Sequence, residues 1–271
     1  MTGFFNMTAL FNISLAAYFC AMVCAVICLM TRRNLFDGVA NGLIVAGVTI
    51  QTLYLGIRWV EAGRAPFSNM FESLVLFAWT VAVVYLLLRI RTKLPWLAAA
   101  AAALSALALA HASTFESAIR PLMPALQSNW LSFHVMTCFL GYGAFAISAV
   151  ASAGYLIATR QASVAQVETR QTLETIVTQT ISFGFLFLTL GILTGAVWAN
   201  SAWGTYWSWD PKETWSLITW FIYAAFLHFN FMRGWRGRRA AWISIIGFIS
   251  VLFTYYGVNF LLSGLHSYAK G

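Results

Sequence analysis

The sequence predicts an all-α, polytopic membrane protein of about eight transmembrane helices, on three observations. Of its 271 residues, 61% are hydrophobic and 9% charged, with a mean hydropathy of +0.76, a composition that excludes a soluble globular domain. Apolar runs of about 18 residues or more recur along the whole chain, each long enough to cross a bilayer as a helix. The basic residues gather in alternate connections between those runs, as they do when a chain weaves through a membrane.

The runs fall at about 12–30, 38–57, 71–89, 94–110, 130–158, 180–199, 213–232 and 241–265. The first is expected to stay as a span: no Lys or Arg precedes it, as a signal peptide requires, and Arg32-Arg33 follow it instead. The fifth is overlong and is expected to leave the membrane at one end. The longest polar stretch, about 159–179, is too short for a soluble domain, so residues 1–271 read as a single integral-membrane domain. With the amino terminus outside, the cytoplasmic side carries Arg32, Arg33, Arg89, Arg91, Lys93, Arg160, Arg170, Arg233, Arg236, Arg238 and Arg239. The external side keeps Arg58, Arg64, Arg120, Lys212 and Lys270, a bias of eleven against five that places both termini outside. The net charge of +8 is thus a topology signal and needs no nucleic-acid partner.

Cys20, Cys24 and Cys28 recur at i, i+4 and i+8, which reads as a face for close helix packing and not as a disulfide framework or metal site. Cys138, one turn below His134, likewise reads as packing. The chain has no Cys-x-x-Cys-His and carries no covalent c-type haem of its own.

The stretch Trp203-Gly204-Thr205-Tyr206-Trp207-Ser208-Trp209-Asp210-Pro211-Lys212-Glu213-Thr214-Trp215 lies on the external face, between the sixth and seventh runs. Trp59, Trp96 and Trp242 fit an ordinary interfacial aromatic belt. The segment 198–220 concentrates far more ring area than a belt needs, a shelf suited to a large, flat, iron-containing cofactor. Trp203 and Trp207 would stand one turn apart if the loop were helical. Asp210-Pro211-Lys212-Glu213 reads as a helix start, with Asp210 as N-cap, Pro211 first in the helix and Glu213 three beyond the cap. That start points the positive end of the seventh helix outward, where anionic groups such as propionates are favoured.

His134 and His266 fall at the membrane level of this shelf, on separate helices, and together would make a bis-imidazole pair for haem iron. Gly257 and Gly264, a heptad apart, would let the last helix approach a neighbour closely. His228 follows Glu213 by fifteen residues, about 22 Å along a helix, so it cannot share that iron. An ionisable residue within a span is a functional candidate by default, and His228 would need a haem site of its own. His111, with no aromatic company in this reading, is expected to be interfacial.

The segment Trp203–Ser216 resembles the WWD signature of haem-handling membrane proteins. Within that superfamily the chain resembles the CcsA (ResC) family of System II cytochrome c biogenesis. Gly63-Arg64-Ala65-Pro66-Phe67-Ser68-Asn69-Met70-Phe71-Glu72-Ser73, Leu190–Ala199 and Gly264-Leu265-His266-Ser267-Tyr268 agree, and the likeness spans essentially all eight runs. The resemblance implies that His134 and His266 are the external haem ligands and the catalytic pair. Trp203, Trp207, Trp209 and Asp210 then belong to the haem-binding signature, with Trp215 beside them. His228 matches an intramembrane histidine whose missing mate comes from a CcsB (ResB) partner. The implied activity is that of a holocytochrome-c synthase working with that partner: haem b, bound non-covalently as substrate, is attached to Cys-x-x-Cys-His of an apocytochrome c. A thiol-reducing thioredoxin-like protein is a further implied partner. The expected location is a bacterial inner membrane with the active face toward the periplasm, a plastid thylakoid being the alternative.

Three other readings compete. A CcmC-like handler would pass haem on without attaching it, but eight spans and the 257–268 segment argue against it. A b-type electron-transfer subunit would pair histidines across facing helices, and His228 has no such mate. A transporter with histidines as proton relays leaves the tryptophans unexplained. Glu72, Cys138 and His111 receive no catalytic role from the sequence.

Overall fold

Asn6, Asn69, Ser128 and Asp210 begin four helices by the same device. A side-chain oxygen of each accepts a first-turn backbone N–H, from Ala9, Glu72, Trp130 and Lys212 respectively, a group that no intrahelical carbonyl reaches. A computed structural model describes residues 6–122, 127–159, 165–262 and 264. Its helices are α1 (Met7–Thr31), α2 (Asn34–Ala62), α3 (Met70–Arg89), α4 (Pro95–Ala112), α5 (Asn129–Ala158), α6 (Ala165–Trp203), α7 (Pro211–Arg233), α8 (Arg238–Leu252) and α9 (Val258–Leu261). A π-helical turn, Phe253–Gly257, joins the last two into one span. Eight spans are long and apolar enough to cross a membrane, and no strand occurs among the described residues. The chain is an all-α integral membrane protein.

Two stretches differ from the sequence reading. The polar stretch expected at about 159–179 is largely helix, because α6 starts at Ala165 and runs 39 residues. At about 1.5 Å per residue it is roughly 58 Å long, against an apolar layer of about 30 Å, so its first turns extend beyond the bilayer. The final span is not one regular helix to residue 265: the π turn interrupts it and α9 ends at Leu261.

The described helices form two compact units, α1–α4 and α5–α9. In the first, polar side chains stitch the spans together. Tyr18 Oη donates to Gln51 Oε1 (2.7 Å), and Gln51 Nε2 donates to the Val75 carbonyl (2.8 Å), linking α1, α2 and α3. Asp37 pairs with Arg89 at the opposite end of α2 and α3 from Glu72. Glu72, whose side chain is 0% exposed, accepts from Arg58 Nη2 at 2.9 Å and Arg64 Nη1 at 3.0 Å. It also accepts from the Ser68 N–H (2.9 Å) and hydroxyl (3.0 Å). One carboxylate therefore anchors the α2–α3 connection, a role the sequence does not announce.

The reading of Cys20, Cys24 and Cys28 as one packing face is corrected: Cys28 is buried but Cys20 is exposed. An i, i+8 spacing drifts by about 80° around a 3.6-residue helix, enough to separate the two. The reading that His111 has no aromatic company is corrected as well, since its ring meets Phe115 edge-on at 5.1 Å.

In the second unit α5 and α6 run against each other with glycine at the contact. A β-carbon on Gly141 would lie 3.0 Å from the Gly184 carbonyl, so small residues set how near the two backbones come. Ser148 meets Ser244 at 2.7 Å and Thr219 meets Ser250 at 2.7 Å, tying α5 and α7 to α8. Phe145 and Tyr223 stack in parallel, 3.6 Å between centroids.

Candidate haem-binding site

His134 lies in the second turn of α5 and is seated against α6. Its Nδ1 is 2.7 Å from the Gly191 carbonyl oxygen, which can only accept, so Nδ1 carries the proton. In the neutral form of the ring this tautomer leaves the lone pair on Nε2, the arrangement of a metal-binding histidine oriented by a carbonyl. The imidazole stacks on Trp198 (6.1 Å, 14° between planes), and Trp198 meets Trp203 edge-on at 4.8 Å. Trp198 is 2% exposed and forms a rigid wall.

Glycine makes the seat. A β-carbon on Gly195 would lie 2.5 Å from His134 Nδ1, and one on Gly191 would lie 2.5 Å from Cys138 Sγ. Gly191, Gly195 and Trp198 thus form a groove in α6 that receives one turn of α5. The sequence reading counted all three within segments that carry the resemblance or the aromatic shelf but gave none of them this role, although glycines four apart followed by tryptophan are a legible small-residue groove. Gly195→Val is expected to destabilise the second unit by about 1–3 kcal/mol through overpacking. Its imidazole would be driven from the Gly191 carbonyl, which a changed His134 ring resonance in NMR would report. An unchanged ring environment would contradict this seat.

The Trp-rich segment is not helical between Gly204 and Asp210. Gly204, with φ +77°, ends α6, so Trp203 and Trp207 do not stack one turn apart. Trp207 turns instead to Trp209, edge-on at 5.7 Å. Trp209 holds φ +59°, a left-handed conformation rare for a bulky side chain. Glu213 supports that strain from both flanks: its carboxylate accepts from the Ser208 N–H (2.8 Å) and the Asp210 N–H (3.2 Å). The Thr214 hydroxyl donates to the Trp209 carbonyl at 3.2 Å. The result is an indole held 67% exposed on a tightly bonded loop, with Tyr206 60% exposed nearby in sequence.

Asp210 and Glu213 form a capping box with Pro211 at the helix start, as the spacing predicts. Asp210 is 5% exposed, so its carboxylate is part of the scaffold. Gly264 passes directly over this cap, where any β-carbon would collide with the Asp210 carboxylate. Trp215 packs on Phe253 of the π turn at 4.1 Å. His266 lies outside the described residues. His228 sits fifteen residues beyond Glu213 on the unbroken α7, about 22 Å toward its other end, exposed and edge-on to Phe229. The structure thus brings together His134, Trp198 and Trp203, pairs Trp207 with Trp209, and holds His228 apart.

A model of the cytochrome c assembly protein family matches residues 67–266. The cytochrome c biogenesis protein CcsA of Guillardia theta is 39% identical over 263 residues, covering 87% of each chain. That of Synechococcus sp. (strain CC9605) is 39% identical over 264 residues, 85% of this chain and 86% of the relative. Among solved structures, the cytochrome c heme lyase CcmF superposes with a TM-score of 0.70 at 20% identity, over 98% of this chain and 49% of that one. The chain spans about half of CcmF's length, and at that identity the likeness is one of fold. By sequence over most of its length, the chain belongs to the CcsA family of cytochrome c biogenesis proteins.

Proposed function

We propose that this chain holds haem b at the membrane face bearing the Trp-rich loop and promotes its attachment to the Cys-x-x-Cys-His motif of an apocytochrome c. The observation that carries the reading is the His134 seat, where the Gly191 carbonyl fixes the tautomer that leaves Nε2 able to ligate iron. The residues around it suit a flat, amphipathic substrate: a buried indole wall, an exposed aromatic loop, and a helix start whose dipole favours propionates. His266 is the second axial ligand in this reading, and Trp203, Trp207, Trp209, Asp210 and Trp215 frame the ring. Both termini and the loop face outward, toward a periplasm, as the distribution of basic residues favours.

Haem brings two vinyl groups, and the apocytochrome brings the thiols whose S–H bonds add across them. The chain therefore needs no nucleophile; its residues supply orientation and exclude misaligned approach. His134 and His266 hold the iron until the substrate histidine displaces one of them. His228, exposed on α7, is the ligand of an earlier haem station completed by a histidine of a CcsB-type partner.

The test is co-expression of the full chain, a CcsB-type partner and a reporter apocytochrome in cells lacking their own assembly machinery. Covalent haem on the reporter should require the chain, and His228→Ala should lower the haem recovered with the complex at least about tenfold. Reporter maturation without the chain, or a wild-type complex devoid of haem, would overturn the reading.

A further inference from the structure

We infer that Lys212 is an electrostatic positioning residue: its ammonium, held by Asn259 beside the His134 seat, favours the reduced state of the haem that His134 binds. The inference rests on the haem reading above and assigns a role to a residue that reading leaves unused.

Lys212 is the second residue of α7, inside the Trp-rich segment, yet its side chain does not join the exposed loop. Nζ donates to Asn259 Oδ1 at 2.8 Å. Asn259 is 4% exposed, and its Nδ2 donates to the Tyr255 carbonyl at 2.6 Å. Tyr255 belongs to the π turn, so the interruption of the last span is where the acceptor for Lys212 is built. The Tyr255 ring in turn packs edge-on against Phe139 of α5 at 5.7 Å. Next to Phe139 is Cys138, which lies within electrostatic reach of Lys212. The Cys138 sulfur is 3.7 Å from His134 Nδ1. The Lys212 ammonium is thereby tied, through Asn259 and Tyr255, to the turn of α5 whose Cys138 sulfur touches the imidazole, in a partly buried setting where charge interactions are weakly screened.

Reduction of iron from Fe(III) to Fe(II) adds one electron and lowers the charge of the site by one. A fixed cation nearby stabilises the reduced form relative to the oxidised one. The competing account is that Lys212 only compensates the buried Asp210 carboxylate, which attracts it. That account predicts a weaker α7 start when Lys212 is removed and no change at the iron.

The experiment is a redox titration, with dithionite and ferricyanide, of the purified full chain with its CcsB-type partner. The component followed is the one whose absorbance disappears in His134→Ala. Lys212→Met is expected to raise its oxidised-to-reduced ratio about tenfold at the wild-type midpoint, a fall of about 59 mV for one electron. Lys212→Arg, which keeps the charge, should stay within about twofold of wild type. If Lys212→Met folds poorly, Lys212→Gln keeps a donor for Asn259 and should show the same fall. Wild-type midpoints in both neutral variants, with haem bound, would overturn the inference and leave the haem reading standing. Absence of the His134-dependent component from wild type would overturn the haem reading, and this inference with it.

Discussion

Glu72→Ala is expected to destabilise the first unit by about 3–5 kcal/mol, the range seen when one partner of a buried ion pair is removed. The reason is an imbalance the substitution creates. Glu72 accepts from two guanidinium groups, Arg58 and Arg64, whose side chains are 2% and 12% exposed. Without the carboxylate both cations lose their paired counter-charge in a largely buried setting, and the Ser68 N–H and hydroxyl lose their acceptor as well. Thermal unfolding of the detergent-solubilised full chain would measure this, with Glu116→Ala as the comparison. Glu116 pairs with Arg120 across an exposed i, i+4 spacing, and its loss should cost no more than about 0.5 kcal/mol. Equal stability of the two variants would show that the buried network does not anchor the α2–α3 connection.

His134→Ala is expected to lower covalent haem attachment to a reporter apocytochrome by at least about 100-fold. Removing a partner that merely orients a metal ligand commonly costs 10–100-fold, and here the proposed ligand itself is removed. The loss should be specific. The Trp198 wall is held through Trp203 and buried contacts, so the fold should survive and the complex should still assemble. His111→Ala, in the last turn of α4 beside Phe115, should leave attachment unchanged. Attachment at wild-type level in His134→Ala would remove His134 from the reaction.

The membrane architecture was legible because apolar length and the distribution of basic residues are properties of sequence windows. The helix start at Asp210-Pro211-Lys212-Glu213 was legible for a similar reason: a capping box is complete within four residues. What escaped was the part built by tertiary contact. Gly191 and Gly195 look like ordinary small residues until α5 lays His134 and Cys138 into them. Glu72 looks like an N-terminal helix acid until two arginines from other turns converge on it. The condition for Trp203 and Trp207 to stand one turn apart, a helical loop, is not met, because Gly204 takes a left-handed φ and ends α6. Period counting continues a helix wherever the ring spacing allows, and only the backbone conformation reveals the stop. The π turn at 253–257 escaped too, since its five residues read as unbroken apolar helix.

Above all, the His134 imidazole, presented by the Gly191 carbonyl, is proposed to bind haem iron. The most direct measurement is the absorption spectrum of the purified full chain with its partner, as wild type and as His134→Gly, with and without added imidazole. Wild type should show a low-spin bis-imidazole component that His134→Gly loses, beside any haem held through His228, and that returns when free imidazole enters the vacated groove. A low-spin spectrum in His134→Gly without imidazole, identical to wild type, would contradict it.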